Sequence, residues 1–375
     1  MVDRVTNMSG VRDARSARSL DAKYYACEEL FAVECEKIFR REWICVGREA
    51  DVAVRGDYLR TKVGGAELIV VRDESGIRCF HNTCRHRGTL LCESECGTNA
   101  DGITCPYHGW SYELSGQLIA APNMGDVDGF DLSDYPLNQT ATATRDGFVF
   151  VNVGCDVDSF ETIWQPLDGK FDPWSLSELV SAGESEYEVA ANWKLIFQNY
   201  NECYHCPQIH PRLNAVSPYT SASNDLESGG FLGGPMQLAA TAASMTFSGR
   251  ACCEPLPNLP SDDCRRVYYY SLFPSLLMAL HPDFVLTHRA QPLANNRTRV
   301  VCNWLFHPQA VAEKGFDPSP AIEFWDETNR QDWHICELAQ QGIESSGYKP
   351  GPYSNLESTI AAFDRHYLAV LGNIA

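Results

Sequence analysis

The sequence lacks any apolar run long enough to cross a bilayer. The longest, YYYSLFPSLLMAL from Tyr268 to Leu280, falls short of the roughly 20 residues that a spanning helix needs, and Pro274 interrupts it. The opening segment, MVDRVTNMSGVRDARSARSL, carries four arginines but no apolar core of a secretory signal. We therefore expect a cytoplasmic protein that contacts no membrane.

Basic residues are scarce relative to acidic ones. With 30 Lys and Arg against 49 Asp and Glu, the formal net charge is −19 at pH 7, which argues against nucleic acid and anionic lipid as partners. The simplest interpretation of the acidity is solubility, and the alternative is steering of a cationic substrate or a basic redox partner. Cysteine, by contrast, is abundant at 16 residues. Since no secretory signal is visible, we expect mostly reduced thiols rather than a disulfide framework.

The chain has 375 residues, which is enough for two domains. Its sequence pattern changes along the chain. Residues 21–43 have apolar positions at helical spacing. From about 44 to 153, short runs such as AELIVV, IRCFHN and DGFVFVNV alternate with Gly and Asp turns, which predicts a small all-β domain. Residues 154–159 have the loose composition of a linker. Further strand-like runs, followed by helices over 320–342 and 356–371, predict an α+β domain in the second half.

The stretch CRHRGTLLCESECGTNADGITCPYHGW contains a C-x-H pair and, after 18 intervening residues, a C-x-x-H pair. Two cysteines and two histidines suit either a tetrahedral zinc site or a [2Fe–2S] cluster of the Rieske type. C-x-H is tighter than a zinc-finger knuckle. Gly88 and Gly109 follow the pairs and allow close loops, which favours the cluster. Cys92 and Cys96 are then spare loop thiols, and the four predicted ligands are Cys84, His86, Cys105 and His108.

A second set of candidate ligands lies in the segment EYEVAANWKLIFQNYNECYHC and just after it. A strand-like piece precedes Asn192, which is a good N-cap for a helix. Glu202 and His205 are three residues apart, so they would share a face of that helix, and Pro207 would end it. The buried face of the helix is predicted to consist of Trp193, Ile196, Phe197, Tyr200 and Tyr204.

His210 can then turn back toward His205, and two histidines plus one carboxylate form the facial triad of a non-haem Fe(II) site. Glu202 and Asp332 are both candidates for the carboxylate. On the predicted helix FWDETNRQDWHICELAQQ, Asp332 lies on an apolar stripe, where an unpaired carboxylate would be costly. We therefore predict the iron ligands to be His205, His210 and Asp332.

Together, these motifs resemble those of the Rieske-type ring-hydroxylating non-haem iron oxygenases. The shared patterns are C-x-H, then C-x-x-H-G-W, and the late N-x-x-D-W motif that matches Asn329 to Trp333. Electron-transport Rieske proteins carry two further cysteines, and those positions here are Thr89 and Tyr107. The resemblance spans about residues 20–372. It implies an α+β chain with an N-terminal helical segment on the catalytic domain, an all-β Rieske domain, and a helix-grip-like catalytic domain with an antiparallel sheet, over residues 1–43, 44–153 and 154–375.

The same resemblance implies cofactors and partners. The [2Fe–2S] cluster and a mononuclear Fe(II) would act with O2 as co-substrate. A separate flavin or iron–sulfur reductase, with or without a ferredoxin, would supply electrons from NAD(P)H. Glu202 would bridge two subunits by hydrogen-bonding a cluster histidine of the neighbouring chain, which implies a homotrimer or a stacked pair of trimers. We predict that Glu202→Ala keeps both metals yet loses coupled turnover.

The substrate is the least determined feature. The sequence NYNECYHCPQIHP most resembles the corresponding segment of choline, glycine betaine and carnitine monooxygenases. Such substrates would need an aromatic cage for the cation. The alternative substrate is an aromatic acid, whose carboxylate could be held by Arg212, Arg250 or Arg289. The small-residue run from Gly229 to Gly249 is predicted to be a loop near the pocket mouth or elsewhere on the surface. The candidate cage residues are Tyr187, Tyr219, Tyr268, Tyr269, Tyr270, Trp304 and Phe306.

Two other classes of protein remain open from the residues alone. An electron carrier would need only the cluster, so the second ligand set and the large second domain count against it. A zinc-structured binding protein would be colourless. Among the reactions that an oxygenase could catalyse here, monooxygenation at an N-methyl group or at the carbon beside the nitrogen is the leading prediction. Ring hydroxylation, dihydroxylation or O-demethylation of an aromatic compound is the alternative.

Overall fold

The computed structural model describes residues 17–154 and 158–372. Within these ranges the α-helices are α1 Lys23–Ala26, α2 Glu28–Glu34, which continues as a π-helix over Cys35–Phe39, α3 Phe160–Trp164, α4 Trp193–Tyr200, α5 Cys206–Ile209, α6 Pro211–Val216, α7 Pro308–Ala312, α8 Ser319–Glu344 and α9 Ser358–Leu371. None of the helices in the described part of the chain combines the length and the apolar character that a membrane span requires.

The first half of the chain forms two antiparallel sheets. The larger one has the order β1-β10-β9-β4-β3-β2-β5, and the smaller one has the order β6-β7-β8. Strands such as β10 are buried on both faces, which explains their unbroken apolar sequence. The strands are β1 Ile44–Arg48, β2 Asp57–Val63, β3 Ala66–Arg72, β4 Ile77–His81, β5 Cys96–Thr98, β6 Ile103–Thr104, β7 Ser111–Tyr112, β8 Leu118–Ala120, β9 Gln139–Arg145 and β10 Phe148–Asn152.

The second half is built on one antiparallel seven-stranded sheet, in the order β11-β17-β16-β15-β14-β13-β12. Helices α4 and α8 contact each other, and α4 also contacts β16. Both predicted long helices of this half are present, as α8 and α9. The strands are β11 Val180–Val189, β12 Leu226–Ser228, β13 Phe231–Gln237, β14 Arg266–Leu272, β15 Leu276–Leu280, β16 Val285–Ala294 and β17 Arg297–Phe306.

The two halves and the N-terminal helices pack together through buried polar contacts. Glu34, at the end of α2, pairs with Lys194 of α4 at 2.6 Å, and both side chains are inaccessible to solvent. The indole N–H of Trp193 donates to the same carboxylate at 2.9 Å. The Arg289 guanidinium donates to the Val46 carbonyl at 2.6 Å, which ties β16 to β1. These contacts agree with the predicted packing of the N-terminal segment, while the three-part division of the chain stays a prediction.

Several local predictions are corrected. Helix α4 ends at Tyr200, so Glu202 and His205 do not share a helix face, and Pro207 lies at the start of α5 instead of ending α4. Tyr204 is 56% exposed and does not belong to the buried face. The run from 229 to 249 is not wholly a loop, because it contains strand β13. Part of the predicted linker, residues 155–157, lies outside the described residues.

Candidate functional site

The first site consists of two similar loops that carry the C-x-H and C-x-x-H pairs. In one loop the Cys84 N–H donates to the Thr89 carbonyl, and the Gly88 N–H donates back to the Cys84 carbonyl. In the other, Cys105 N–H donates to Trp110, and Gly109 N–H donates back to Cys105. Gly88 and Gly109 have φ angles of 77° and 70°, a region that favours glycine, so each loop can reverse tightly behind its ligands.

The four predicted cluster ligands come together between these loops. The rings of His86 and His108 lie 4.7 Å apart, and the His86 ring stacks on Trp110 at 4.9 Å. Cys84 and Cys105 are buried and lie within hydrogen-bonding reach of each other. Cys92 is held elsewhere by Asn99, and Cys96 lies on the exposed strand β5. The four predicted ligands are therefore grouped in space, and Cys92 and Cys96 lie apart from them.

The residues present suit a metal cluster. The Nδ1 atom of His86 is buried without a hydrogen-bond partner among the described residues, as expected of a nitrogen that binds metal. The Tyr112 hydroxyl oxygen accepts from the Arg85 N–H at 3.0 Å and lies 3.4 Å from the Cys84 sulfur, to which it can donate. His108 and Tyr107 are exposed, so the histidine side of the site faces the surface.

The second site brings together His205, His210 and Asp332. One candidate ligand atom from each lies within 4.8 Å of the others. An Asp332 carboxylate oxygen lies 2.7 Å from Nε2 of His210 and 3.3 Å from Nε2 of His205. Two imidazoles and one carboxylate that converge on one point, with open space beside them, match the donor set of a facial Fe(II) site.

Each member of this triad is held by a further polar side chain. Glu202 lies 2.5 Å from Nδ1 of His205, and Gln331 accepts from Nδ1 of His210 at 2.7 Å. The Asn199 side-chain amide donates to Asp332 at 3.0 Å. Because these contacts fix the tautomer and the ring orientation, Nε2 of both histidines faces the common point. Sequence reasoning missed Gln331 and Asn199, since neither belongs to a metal-ligand residue type.

The charges of the triad favour a cation. Although burial lowers the pKa of His205, its hydrogen bonds with Asp332 and Glu202 raise it to about 10. Burial likewise opposes the charged form of Asp332, yet the hydrogen bonds from both histidines hold its pKa well below the usual range. Asp332 keeps its negative charge and His205 takes up a proton beside it, which marks a position of negative potential. A divalent metal would replace the protons there.

The chain between α4 and α5 is shaped by local hydrogen bonds. The Glu202 carboxylate accepts from the backbone N–H groups of Tyr204 and His205, an interaction that competes with continuation of the helix. Cys203 and Cys206 form a disulfide across this turn, with Cα atoms 4.9 Å apart. The remaining cysteines of the described residues are free thiols. His205 is thus presented from a fixed turn rather than from a helix.

A cavity of about 110 Å³ opens beside the triad. Its wall includes the aromatic side chains of Tyr200, Tyr269 and Trp325. Tyr269 lies between the other two, with ring centroids 6.2 Å from each. The hydroxyl groups of both tyrosines and the indole nitrogen are buried without hydrogen-bond partners among the described residues. Burial raises the pKa of Tyr200 and Tyr269, so these phenols are neutral at pH 7.

Most substrate-binding residues proposed from the sequence lie elsewhere. Of the seven cage candidates, Tyr269 is the one that lines this cavity. Tyr187 donates to Asp326 at 2.5 Å, and Trp304 and Phe306 belong to the buried core of the sheet. None of Arg212, Arg250 and Arg289 lines the cavity. Tyr200 and Trp325 were on predicted buried helix faces, but their sequence context did not indicate that these faces meet at a pocket.

Comparisons with known proteins agree with this arrangement. Residues 42–136 match the family model of the Rieske [2Fe-2S] domain, and residues 176–373 match that of the ring hydroxylating alpha subunit (catalytic domain). The chain is 32% identical to the glycine betaine monooxygenase oxygenase subunit of Chromohalobacter salexigens, over 92% of this chain and 83% of that protein. It is 34% identical to the carnitine monooxygenase oxygenase subunit of Escherichia coli, over 52% of this chain and 53% of that protein.

The fold also matches a solved structure. A quaternary ammonium Rieske monooxygenase superposes with a TM-score of 0.82 at 24% identity, and the alignment covers 96% of each chain. A cluster-binding β domain joined to a domain with a facial triad defines an oxygenase that uses two iron centres. The chain belongs to the family of ring-hydroxylating oxygenase α subunits with a Rieske domain. It is therefore an oxidoreductase with a [2Fe–2S] cluster and a mononuclear iron, which excludes the zinc-structured binding protein and the simple electron carrier.

Proposed function

We propose that the protein is the terminal oxygenase of a monooxygenase system for a small quaternary ammonium compound. The observation that carries this proposal is the aromatic wall formed by Tyr200, Tyr269 and Trp325 beside the triad. Aromatic faces attract a quaternary ammonium ion, which cannot donate hydrogen bonds. One oxygen atom of O2 would enter an N-methyl group or the carbon next to nitrogen, with loss of an aldehyde, and the other would leave as water.

The residue assignments are part of the proposal. Cys84 and Cys105 would hold one iron of the cluster, and His86 and His108 the other, a division supported by the buried, unpartnered Nδ1 of His86. His205, His210 and Asp332 would hold the mononuclear iron, which would supply O2 activation. Gln331 and Asn199 would keep the ligand atoms aimed at one point.

The size and charge of the cavity support a small cation. A volume of about 110 Å³ is well below the ~300–1,000 Å³ of sites for drug-sized ligands. That size favours a compound of a few heavy atoms over a multi-ring aromatic substrate. Two of the relatives to which the chain is similar are named for glycine betaine and for carnitine, both of which are quaternary ammonium compounds. The net charge of −19 also favours the approach of a cation.

We also propose the electron path and the assembly. A separate reductase would pass electrons from NAD(P)H to the cluster. Glu202 would carry them across a subunit boundary, which requires a homotrimer or two stacked trimers. On its own chain Glu202 already contacts His205 at 2.5 Å, so one half of the bridge is supported. This contact revises the expectation from the sequence that Glu202→Ala keeps both metals: the variant would also loosen the iron site, so iron content must be measured beside turnover.

A single-turnover experiment tests the proposed function. The purified protein, with both iron centres loaded, would be reduced chemically and mixed with O2 and one candidate at a time. Mass spectrometry would then identify the products from choline, glycine betaine and carnitine, and from benzoate and methoxybenzoate as the aromatic alternatives. We expect a hydroxylated or demethylated product from at least one quaternary amine. Products from the aromatic acids alone would refute the proposal.

A further inference from the structure

Four rings in contact lead from the metal site toward the surface, and we call them the aromatic row. Tyr200, in the wall of the cavity, lies 5.8 Å from His288 between ring centroids, and His288 lies 6.2 Å from Trp333. Trp333 lies 6.1 Å from Tyr187 and also directly follows Asp332 in the chain. The aromatic row therefore begins beside a candidate metal ligand and ends on β11, an edge strand of the sheet.

The inner rings of the aromatic row have no group that could take a proton from them. The hydroxyl of Tyr200 and the indole nitrogen of Trp333 are buried without hydrogen-bond partners among the described residues. Burial raises the pKa of Tyr200 and lowers the pKa of His288 to about 4, so both rings are neutral at pH 7. Because a charged radical is costly in a buried apolar site, these rings can pass an electron on but cannot retain the oxidised state.

The outer ring has a proton acceptor. The Tyr187 hydroxyl donates to the Asp326 carboxylate at 2.5 Å, and the Arg330 side chain donates to the same carboxylate at 2.8 Å. Although burial raises the pKa of Asp326, these two hydrogen bonds hold it below its usual value, so the group is charged at pH 7. When Tyr187 loses an electron, its proton can move to Asp326 and leave a neutral radical. Tyr187 is therefore the member of the aromatic row that is most easily oxidised.

Small molecules in solvent can reach the outer end of the aromatic row. The Asp326 side chain is 33% exposed. With Arg330 it lines a surface depression of about 630 Å³. A small one-electron reductant such as ascorbate can enter that depression. One end of the aromatic row is thus at the site of oxidation, and the other end is accessible to a reductant.

We propose that the aromatic row carries oxidising equivalents away from the metal site when no substrate is bound, with Tyr187 and Asp326 as its terminal redox site. An oxidant left at the metal site would otherwise attack the nearest side chains, among them His205 and His210. The aromatic row therefore protects the metal ligands. This function goes beyond the proposed one, since it requires the mononuclear iron but is independent of the substrate.

The reaction balances with hydrogen peroxide as the oxidant. Reduction of peroxide to water takes two electrons and two protons. One electron comes from the ferrous ion, which becomes ferric, and the other passes from Tyr187 through Trp333 to the metal site. The Tyr187 proton moves to Asp326, and solvent supplies the protons that form water. Ascorbate at the surface returns one electron to Tyr187, and Asp326 returns the proton.

Electron paramagnetic resonance of freeze-quenched samples tests the proposal. The iron-loaded protein without substrate is mixed with hydrogen peroxide and frozen. We expect a tyrosyl radical, whose signal narrows when the protein contains ring-deuterated tyrosine. Tyr187→Phe keeps the ring contact with Trp333 but removes the hydroxyl, so the signal should be lost. The matched control is Tyr268→Phe, because Tyr268 also donates to a carboxylate, that of Asp263, at 2.5 Å but lies outside the aromatic row.

Mass spectrometry of the peroxide-treated protein gives a second measurement. At equal iron content, Tyr187→Phe and Asp326→Asn should both show more oxidation of Trp333 and of the ligand histidines than wild type and Tyr268→Phe. An undiminished radical signal in Tyr187→Phe, an equal loss in Tyr268→Phe, or no radical in iron-loaded wild type overturns the inference. Each of these outcomes leaves the proposed function intact, because no substrate is present.

Discussion

The side-chain oxygen of Gln331 accepts a hydrogen bond from Nδ1 of His210 at 2.7 Å and so aims Nε2 of that ring at Asp332. We expect Gln331→Ala to weaken metal affinity by about 10- to 100-fold, because the imidazole loses its fixed tautomer and orientation. The measurement is titration of the metal-depleted protein with Co(II), followed by the visible spectrum. Gln331→Glu keeps the acceptor and should retain affinity. Unchanged affinity in Gln331→Ala would show that α8 holds the site without this contact.

The Tyr112 hydroxyl is expected to tune the cluster. It lies 3.4 Å from the Cys84 sulfur, and a donated hydrogen bond stabilises the more negative, reduced cluster. Tyr112→Phe should therefore lower the reduction potential by on the order of 50 mV, since a net hydrogen bond is worth about 1 kcal/mol and 59 mV is tenfold for one electron. Protein-film voltammetry gives the value. Tyr135→Phe, whose ring contacts Trp110 on the same side, is the control and should leave the potential in place.

The ring of Tyr269, rather than its hydroxyl, should matter for binding. Tyr269→Phe removes a buried hydroxyl without a partner among the described residues, so it should keep cation affinity and leave stability equal or higher. Tyr269→Leu should weaken choline binding by about 2- to 30-fold through loss of the aromatic face. The neutral analogue 3,3-dimethylbutanol, measured in parallel, separates this effect from shape. Parallel losses for both ligands would argue that the ring acts by packing alone.

His281 predicts a specific pH dependence of stability. It is fully buried, both ring nitrogens lack partners among the described residues, and burial lowers its pKa from 6.5 to about 3. Above pH 6.5 the ring is neutral in both the folded and the unfolded chain, and it does not oppose folding. As pH falls from 6.5 toward 3, the unfolded chain takes up the proton first, so the free energy of unfolding decreases. His281→Phe should reduce the slope of unfolding free energy against pH by up to about 1.4 kcal/mol per pH unit between pH 6 and 4.

Urea unfolding at several pH values measures this slope, and the difference between variant and wild type isolates the histidine. Buried Asp283, whose pKa is raised to about 6 by burial, acts in the opposite sense in that window, but it is present in both proteins and cancels. His334→Gln, at an exposed position on α8, serves as the control. Identical slopes for wild type and His281→Phe would mean that the ring gains a partner in solution.

The metal-ligand motifs could be recognised from the sequence because their residues are close together along the chain. Cys84 and His86 are two residues apart, and the apolar period around Asp332 predicted its helix, although the fully buried face runs through Trp333 and Cys336 beside it. The turn that carries His205 was harder to predict. Helical spacing suggested that α4 continues, but the Glu202 carboxylate captures the backbone N–H groups that a helix would use.

The supporting contacts could not be predicted because they join distant parts of the chain. Gln331 and His210 are 121 residues apart, and Asn199 and Asp332 are 133 apart. The aromatic wall joins α4, β14 and α8, so it exists only once the sheet has brought these elements together. An amphipathic pattern indicates that Tyr200 and Trp325 face inward, but it does not indicate which inward-facing residues surround a cavity and which fill the core.

Helix α8 carries both Trp325 and Asp332, seven residues and about 10 Å of helix rise apart. One member of the aromatic wall and the proposed carboxylate ligand of the metal therefore belong to the same helix. If α8 tilts or slides, Trp325 and Asp332 move together and the distance between them stays the same. The distance from the proposed metal site to Trp325 is therefore set by α8 itself. Substrates of another length can then be accommodated by changing the side chain at position 325 or the opposite wall, and not by flexing the site.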